Sequence, residues 1–180
     1  ITVTDIESEH TDGALMVEVT PEGLMKPLDA LTYYAETESD IKIIEIGGST
    51  GDMEAEVFLE SLRQFRRDHV GRVLHVHLGY VPFLSVSGEY KSKPLQNSLR
   101  ELLRLGIQPD VVAARYEPDH GSLPETLLEK IALFSNLDRE RIVACPDLPS
   151  IYSVPIHLLE KTGIHSIVSD FMGMDLICKI

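Results

Sequence analysis

The sequence predicts an α/β protein, a three-layer arrangement in which a parallel sheet is flanked by helices. Short apolar runs of strand length alternate with longer segments whose apolar residues recur every three or four positions. This alternation is typical of parallel strands joined by right-handed helical crossovers. A length of 180 residues with 43% hydrophobic residues fits one ordinary domain. We therefore expect residues 1–180 to form a single domain.

Composition limits where such a protein would work. Its two cysteines, Cys145 and Cys178, are too few for a disulfide framework and form no Cys-x-x-Cys pair. The sequence shows no secretory leader pattern and no apolar run as long as a membrane span. We expect a cytoplasmic protein that does not engage a membrane.

Charge is distributed unevenly along the chain. The net charge of −13 argues against nucleic acid as a partner. Residues 1–62 carry 15 acids and 2 bases, whereas residues 63–104 carry 8 bases and 3 acids. Residues 105–180 are again acidic, with 11 acids and 6 bases. The basic segment fits either a compact anion such as a triphosphate or an ordinary solvated helix face.

The first third of the chain is predicted to hold an irregular segment, a strand, a helix and a second strand. The corresponding ranges are residues 1–13, 14–19, 24–35 and 41–46. The last range is rich in β-branched residues without alternation, which predicts a central parallel strand covered on both faces. A carboxylate near the end of such a strand, Glu45, needs a partner or a cation.

A glycine-rich acidic turn follows that strand. Its three glycines, Gly47, Gly48 and Gly51, let the backbone approach a ligand closely, while Asp52 and Glu54 only accept hydrogen bonds or bind a cation. Ligands of open α/β sheets bind beyond the carboxyl ends of the strands. The turn therefore favours a magnesium-nucleotide over a bare phosphate.

The remaining elements follow the same alternation. Helices are predicted at 54–69, from Pro94 to Gly106, from the capping-box sequence Ser122-Leu123-Pro124-Glu125, and between Pro155 and Gly163; strands are predicted at 73–78, 110–115 and 141–145. His75 and His77 share one face of a strand, but two histidines without a third ligand are assigned no role. Lys130 lies beside an apolar helix face, where position alone favours a snorkelling surface lysine.

A long connection, Gly79 to Ser98, is the strongest candidate for an anion site. Long ordered loops are usually functional. Lys91 and Lys93 flank Ser92, Pro94 can open the following helix, and Gln96 falls near the electropositive helix start.

Four ordered segments make the chain, from about Val17 to Met174, resemble the synthetase (amidoligase) domain of CTP synthase. The segments are Glu45-Ile46-Gly47-Gly48-Ser49-Thr50-Gly51-Asp52-Met53-Glu54, Gly88-Glu89-Tyr90-Lys91-Ser92-Lys93-Pro94-Leu95-Gln96-Asn97-Ser98, Gly106-Ile107-Gln108-Pro109-Asp110 and Lys130-Ile131-Ala132-Leu133-Phe134. The stretch from Asp147 to Pro155 continues the likeness. Several motifs in order are far more specific than one glycine-rich loop.

The resemblance implies a P-loop-NTPase-like fold of SIMIBI-type topology over residues 14–174. In that family ATP phosphorylates O4 of UTP, and ammonia from a glutaminase domain or subunit displaces the phosphate to give CTP. The resemblance also implies a homo-oligomer, a tetramer in the family, with the pyrimidine nucleotide between subunits.

Residue roles follow from the same resemblance. Glu45 resembles the family's ligand of the Mg²⁺ that accompanies ATP. The UTP and CTP contacts fall on Asp52, Met53, Glu54, Lys91, Ser92, Lys93, Pro94, Leu95, Gln96 and Lys130. The adenine side of ATP falls on Pro146, Asp147 and Leu148. For Lys130 this implication replaces the surface interpretation drawn from its position.

The chain also departs from the family pattern. No Gly-x-x-x-x-Gly-Lys loop precedes Ala14, no glutaminase sequence is present, Pro146 stands where a lysine is usual, and Leu95 replaces a threonine. Three functions therefore stay open: part of a CTP synthase, a shortened relative that binds pyrimidine nucleotide without turnover, and a structural subunit.

Overall fold

The computed structural model describes residues 2–6, 17–18 and 41–173, with the backbone alone at 2–6, 17–18, Met53 and Glu54. It divides into two compact units, Ile1–Arg72 and Val73–Ile180. Each unit is described by itself.

The described residues of the first unit form a small antiparallel sheet and a long helix. Strands β1 (Thr2–Ile6), β2 (Val17–Glu18) and β3 (Ile41–Glu45) take the order β2-β1-β3. Helix α1 (Met53–Asp68) buries Ala55, Phe58, Leu59 and Phe65, whose spacing gives it one apolar face.

The second unit contains a parallel sheet of three strands, in the order β4-β7-β8, together with an antiparallel hairpin. The strands are β4 (Val76–Tyr80), β5 (Phe83–Leu84), β6 (Glu89–Tyr90), β7 (Val111–Tyr116) and β8 (Ile142–Pro146), of which β5 and β6 form the hairpin. The helices are α2 (Lys93–Arg104), α3 (Glu125–Ser135), α4 (Ser153–Lys161) and α5 (Ile164–Met172). This unit confirms the α/β class with a parallel sheet flanked by helices.

The core of the second unit lies between that sheet and helices α2 and α3. Leu95 and Leu99 from α2 and Leu128 and Ile131 from α3 are almost fully buried. They pack with the buried face of β7 and with Tyr90 of the hairpin. The leucine spacing that predicted α2 thus forms its buried face, and Gly106, at φ +77°, allows the helix to end in a left-handed turn.

The environment of β3 differs from the sequence prediction. The strand is present, but it pairs antiparallel with β1, with Thr2 opposite Glu45, rather than standing at the centre of a parallel sheet. Ile43 is 54% exposed and Glu45 is exposed, so the expected cover on both faces is also wrong. The residues predicted to be irregular include β1, whose alternating Thr2-Val3-Thr4 pattern is too short to stand out in the sequence.

Three further predictions are tested by the structure. Helix α3 begins at Glu125, with Pro124 rather than Ser122 at its N-cap, because a residue before proline disfavours helical backbone. The helix that ends before Gly163 is followed by α5, which was not predicted. The strand at 14–19 is confirmed at Val17–Glu18, and the helix predicted at 24–35 lies outside the described residues.

Candidate functional site

The carboxyl ends of the three parallel strands form one edge of the second unit. In the parallel register Tyr80 lies opposite Arg115, and Tyr116 lies opposite Pro146. The segments that leave this edge carry most of the residues proposed from the sequence as nucleotide contacts. The edge is where open α/β sheets bind ligands.

Two of the predicted lysines act on the same carboxylate. Lys91 Nζ lies 2.5 Å from Glu89 Oε1. The pKa of Glu89 lies below its ordinary value, first because Lys91 donates this hydrogen bond, with smaller effects from Ser87 and from the charge of Lys130. Lys91 follows β6 and contacts Glu89 directly, whereas Lys130 lies on α3 and acts on Glu89 only through its charge.

The start of α2 separates the predicted loop residues into two groups. Lys93 and Pro94 are exposed, whereas Ser92, Leu95 and Gln96 are buried. Gln96 Nε2 donates to Ser92 Oγ at 2.9 Å, so these two polar side chains satisfy each other. The side chain of Leu95 belongs to the core, and only its backbone could contact a ligand.

The loop after β8 is held by an arginine that the sequence reasoning did not single out. Arg115 Nε donates to Asp147 Oδ1 at 2.6 Å, and Arg115 Nη2 donates to Asp147 Oδ2 at 3.2 Å. The backbone N–H of Asp147 also donates to the carbonyl of Tyr116 at 2.8 Å. Of its neighbours, Pro146 is buried and Leu148 is half-buried. The ion pair joins the carboxyl ends of β7 and β8.

Tyr90 ties the hairpin to the loop that follows β7. Its hydroxyl lies 2.7 Å from the carbonyl of Glu117 and 2.8 Å from that of Gly121. Burial raises the pKa of Tyr90, so the hydroxyl remains a donor. Its ring meets Phe83 edge to face at 5.1 Å, and Phe83 stacks on His120 at 3.8 Å. These contacts fix the chain immediately before Lys91.

The acidic turn lies in the first unit. Glu45 is exposed, and its Oε1 would stand 3.5 Å from a Cβ placed on Gly47, so the carboxylate lies over the glycine turn. Asp52 is the N-cap residue of α1, and its Oδ2 accepts from the backbone N–H of Ser49 at 3.1 Å. Gly48 and Gly51 have φ values of +92° and +109°, which only glycine adopts readily.

In its described part, the acidic turn offers carboxylate oxygens to a cation but no complete set of protein ligands. Among the described residues no group of three histidine, cysteine or acidic side chains could hold a metal. Mg²⁺ often takes one or two carboxylates and completes its shell with water and phosphate oxygens. The exposed carboxylate of Glu45 fits such a site, in which the ion arrives with a nucleotide.

His75 and His77 give no sign of a metal site within the described residues. His77 is buried, and its Nε2 lies 2.8 Å from Ser98 Oγ, which indicates a packing role.

Much of the basic segment is paired within its own elements. Arg63 pairs with Glu60, Arg67 with Asp68, and Arg104 with Glu101.

A shallow groove of about 270 Å³ at the opposite edge of the sheet contains none of the predicted site residues. Within the part of the chain that the structure covers, no helix has the length and apolarity to cross a membrane.

The parallel sheet, its crossover helices and the polar residues at its carboxyl edge define an α/β domain of the nucleotide-binding type. Residues 14–174 match the family model described as CTP synthase N-terminus. The chain belongs to this family, whose fold is P-loop-NTPase-like.

Curated relatives extend the comparison. The chain is 42% identical over 142 residues to a CTP synthase of Symbiobacterium thermophilum, covering 78% of this chain and 26% of that protein. It is 42% identical over 139 residues to a CTP synthase of Methanococcus maripaludis, covering 76% and 25%, and 40% identical over 146 residues to a CTP synthase of Bacillus subtilis, covering 80% and 26%. The chain therefore spans about a quarter of the length of these relatives.

Proposed function

We propose that the chain supplies the pyrimidine-nucleotide side of a CTP synthase, the enzyme that aminates UTP to CTP at the expense of ATP. Membership of the family supports the reaction class. The observation that carries the proposal is the contact of Lys91 with Glu89 beside the carboxyl edge of the sheet, where the charge of Lys130 also acts.

In this proposal the lysines bind the triphosphate of the nucleotide. An ammonium group donates to phosphate oxygens as a point charge, so Lys91, Lys93 and Lys130 hold the polyanion without fixing a single geometry. The buried Ser92–Gln96 hydrogen bond and the buried Leu95 keep the first turn of α2 rigid beneath them. The family resemblance assigns the contacts with the base or sugar to Asp52, Met53 and Glu54.

The ATP side of the proposal uses Pro146, Asp147 and Leu148. The backbone around Asp147 is fixed by Tyr116 and by Arg115, which favours a constant position for the adenine. Glu45 would hold the Mg²⁺ that neutralises phosphate charge. In the overall reaction the γ-phosphoryl group passes to O4 of UTP, and ammonia then forms the new C–N bond as phosphate leaves.

A second candidate is a relative that binds nucleotide without turnover. Binding needs only the nucleotide contacts, whereas phosphoryl transfer also depends on positioning and charge around the phosphates. The third candidate is a structural subunit that keeps the fold without binding nucleotide. The two binding candidates predict affinity for CTP or UTP, whereas the structural one predicts none.

The test is calorimetric titration of the chain with CTP, UTP and ATP in the presence of Mg²⁺. Loss of one phosphate-binding lysine should lower affinity about tenfold, because charge-assisted hydrogen bonds to phosphate are lost. Lys91→Ala and Lys130→Ala should therefore weaken CTP and UTP binding, while Lys161→Ala, an exposed lysine of α4, should not.

Measuring nucleotide affinity at two ionic strengths distinguishes direct contacts of the lysines with the nucleotide from long-range electrostatic steering. Direct contacts keep part of their effect at physiological salt, whereas steering through solvent is largely screened. Losses no larger than that of Lys161→Ala would contradict the proposal. Turnover of UTP, ATP and ammonia would then distinguish the enzyme from the binding relative.

A further inference from the structure

Glu89 is the ion-pair partner of Lys91, one of the lysines of the proposed anion site. It lies in β6, two residues before Lys91, so in the extended backbone both side chains point to the same face. Lys91 Nζ contacts its carboxylate at 2.5 Å, and Lys130 on α3 adds positive charge. The side chains are 54% exposed for Glu89 and 39% exposed for Lys91, so solvent and ligands can reach the pair.

We propose that Glu89 is a built-in counter-anion, which pairs with Lys91 when no nucleotide is bound and must be displaced when a triphosphate binds. The inference rests on the proposed function, because it assigns a competitor to the same lysines. Glu89 then lowers the affinity of the site for anions in general.

Chemistry makes the two anions competitors. An ionised carboxylate only accepts hydrogen bonds, and so do the phosphate oxygens of a nucleotide at neutral pH. They cannot bond to one another, and like charges at contact distance repel. Because Lys91 holds the pKa of Glu89 below its ordinary value, Glu89 is charged at neutral pH and the competition operates there.

The expected gain in anion affinity on removing Glu89 is small because the Glu89–Lys91 pair is exposed to solvent. Exposed ion pairs are weak, so removal of Glu89 should raise anion affinity about two- to fivefold rather than by orders of magnitude. The gain should shrink at high salt, where the pair is screened. It should also shrink in a Lys91→Ala background, because the competing pair is then absent.

The experiment compares Glu89→Gln with Glu140→Gln. Glu140 is exposed in the turn Arg139–Arg141, which precedes the amino end of β8, so the control makes the same charge change at the opposite edge of the sheet. CTP and inorganic triphosphate are titrated into each variant and into the double variant Lys91→Ala/Glu89→Gln. We expect tighter binding of both ligands by Glu89→Gln and no change for Glu140→Gln.

Each outcome has one meaning. Weaker binding by Glu89→Gln would show that Glu89 contacts the nucleotide, and an unchanged affinity would show that it does not compete; either overturns the inference. If Glu89→Gln binds inorganic triphosphate more tightly but no variant prefers CTP to it, the inference stands and the pyrimidine assignment fails.

Discussion

Leu95 fills the space that a side chain on Gly79 would occupy. A Cβ placed on Gly79 would lie 2.1 Å from Leu95 Cδ1 and 3.2 Å from Leu95 Cγ. Leu95 is only 1% exposed, so it has no open space to move into. Because Gly79 has no side chain, the first turn of α2, which carries Lys93, can pack directly onto β4 of the sheet.

Gly79→Ala should therefore destabilise the protein. Added volume in a packed core typically costs about 1–3 kcal/mol, since neighbouring side chains or backbone must shift. Denaturant unfolding should show a lower midpoint with an unchanged slope. Gly163→Ala is the control, because its Cβ would meet nothing closer than 3.8 Å. Equal stability of the two variants would contradict the contact.

Regular patterns were predicted well from the sequence. The apolar spacing of α1 and the leucines of α2 each form one buried face, and such spacing is a local property of the chain. The hairpin β5–β6 was missed because two-residue strands are too short to show alternation. The predicted pairing and burial of β3 were wrong because an apolar run identifies a strand but not its partner strand or the elements that cover it.

The candidate site likewise combines local contacts that the sequence predicts with contacts that depend on the tertiary fold. The Glu89–Lys91 pair could have been predicted, because residues two apart in an extended segment share a face. Arg115 and Asp147 are 32 residues apart, and their contact depends on the pairing of β7 with β8. The sequence placed Leu95 in the ligand loop, but its burial depends on the tertiary contact with Gly79.

Arg115 should control the ATP side of the site through Asp147. Arg115→Lys keeps the charge but cannot hold both carboxylate oxygens with one planar group. We expect ATP affinity to fall by up to about fivefold, the range of an exposed pair, with CTP affinity unchanged. Arg104→Lys, which alters a pair at the far end of α2, is the matched control. Equal losses for ATP and CTP would contradict a local role.

Glu45 should govern the magnesium dependence of nucleotide binding. Its carboxylate is exposed, so Glu45→Gln should leave the fold intact while it removes the charged oxygen that a hard cation prefers. The ratio of nucleotide affinities with and without Mg²⁺ should fall toward one. Glu56→Gln, an exposed change on α1, should retain the ratio of the unmodified chain. An unaltered ratio in Glu45→Gln would refute the assignment.

Assembly is the next expectation. The family resemblance implies a pyrimidine site between subunits, and this chain keeps the loop from Lys91 to Gln96. We expect light scattering to detect a homo-oligomer whose population rises with CTP. A monomer at high concentration, with and without CTP, would contradict this expectation.

His77 should make the stability of the second unit depend on pH. Burial lowers the pKa of His77 from 6.5 to about 4, because a charged imidazole would lose its hydration. Between these values the unfolded chain binds a proton that the folded protein does not. Stability should therefore be complete above pH 6.5 and decline as the pH falls toward 4, by up to about 3 kcal/mol.

The variant His77→Gln isolates this effect. Glutamine does not titrate and can still hydrogen bond with Ser98, so the fall in unfolding free energy between pH 6.5 and 4 should be smaller than in the unmodified chain. The exposed His120, changed to glutamine in the same way, is the control for the substitution itself. If both variants lose stability with pH as steeply as the unmodified chain, the buried imidazole does not cause the acid sensitivity.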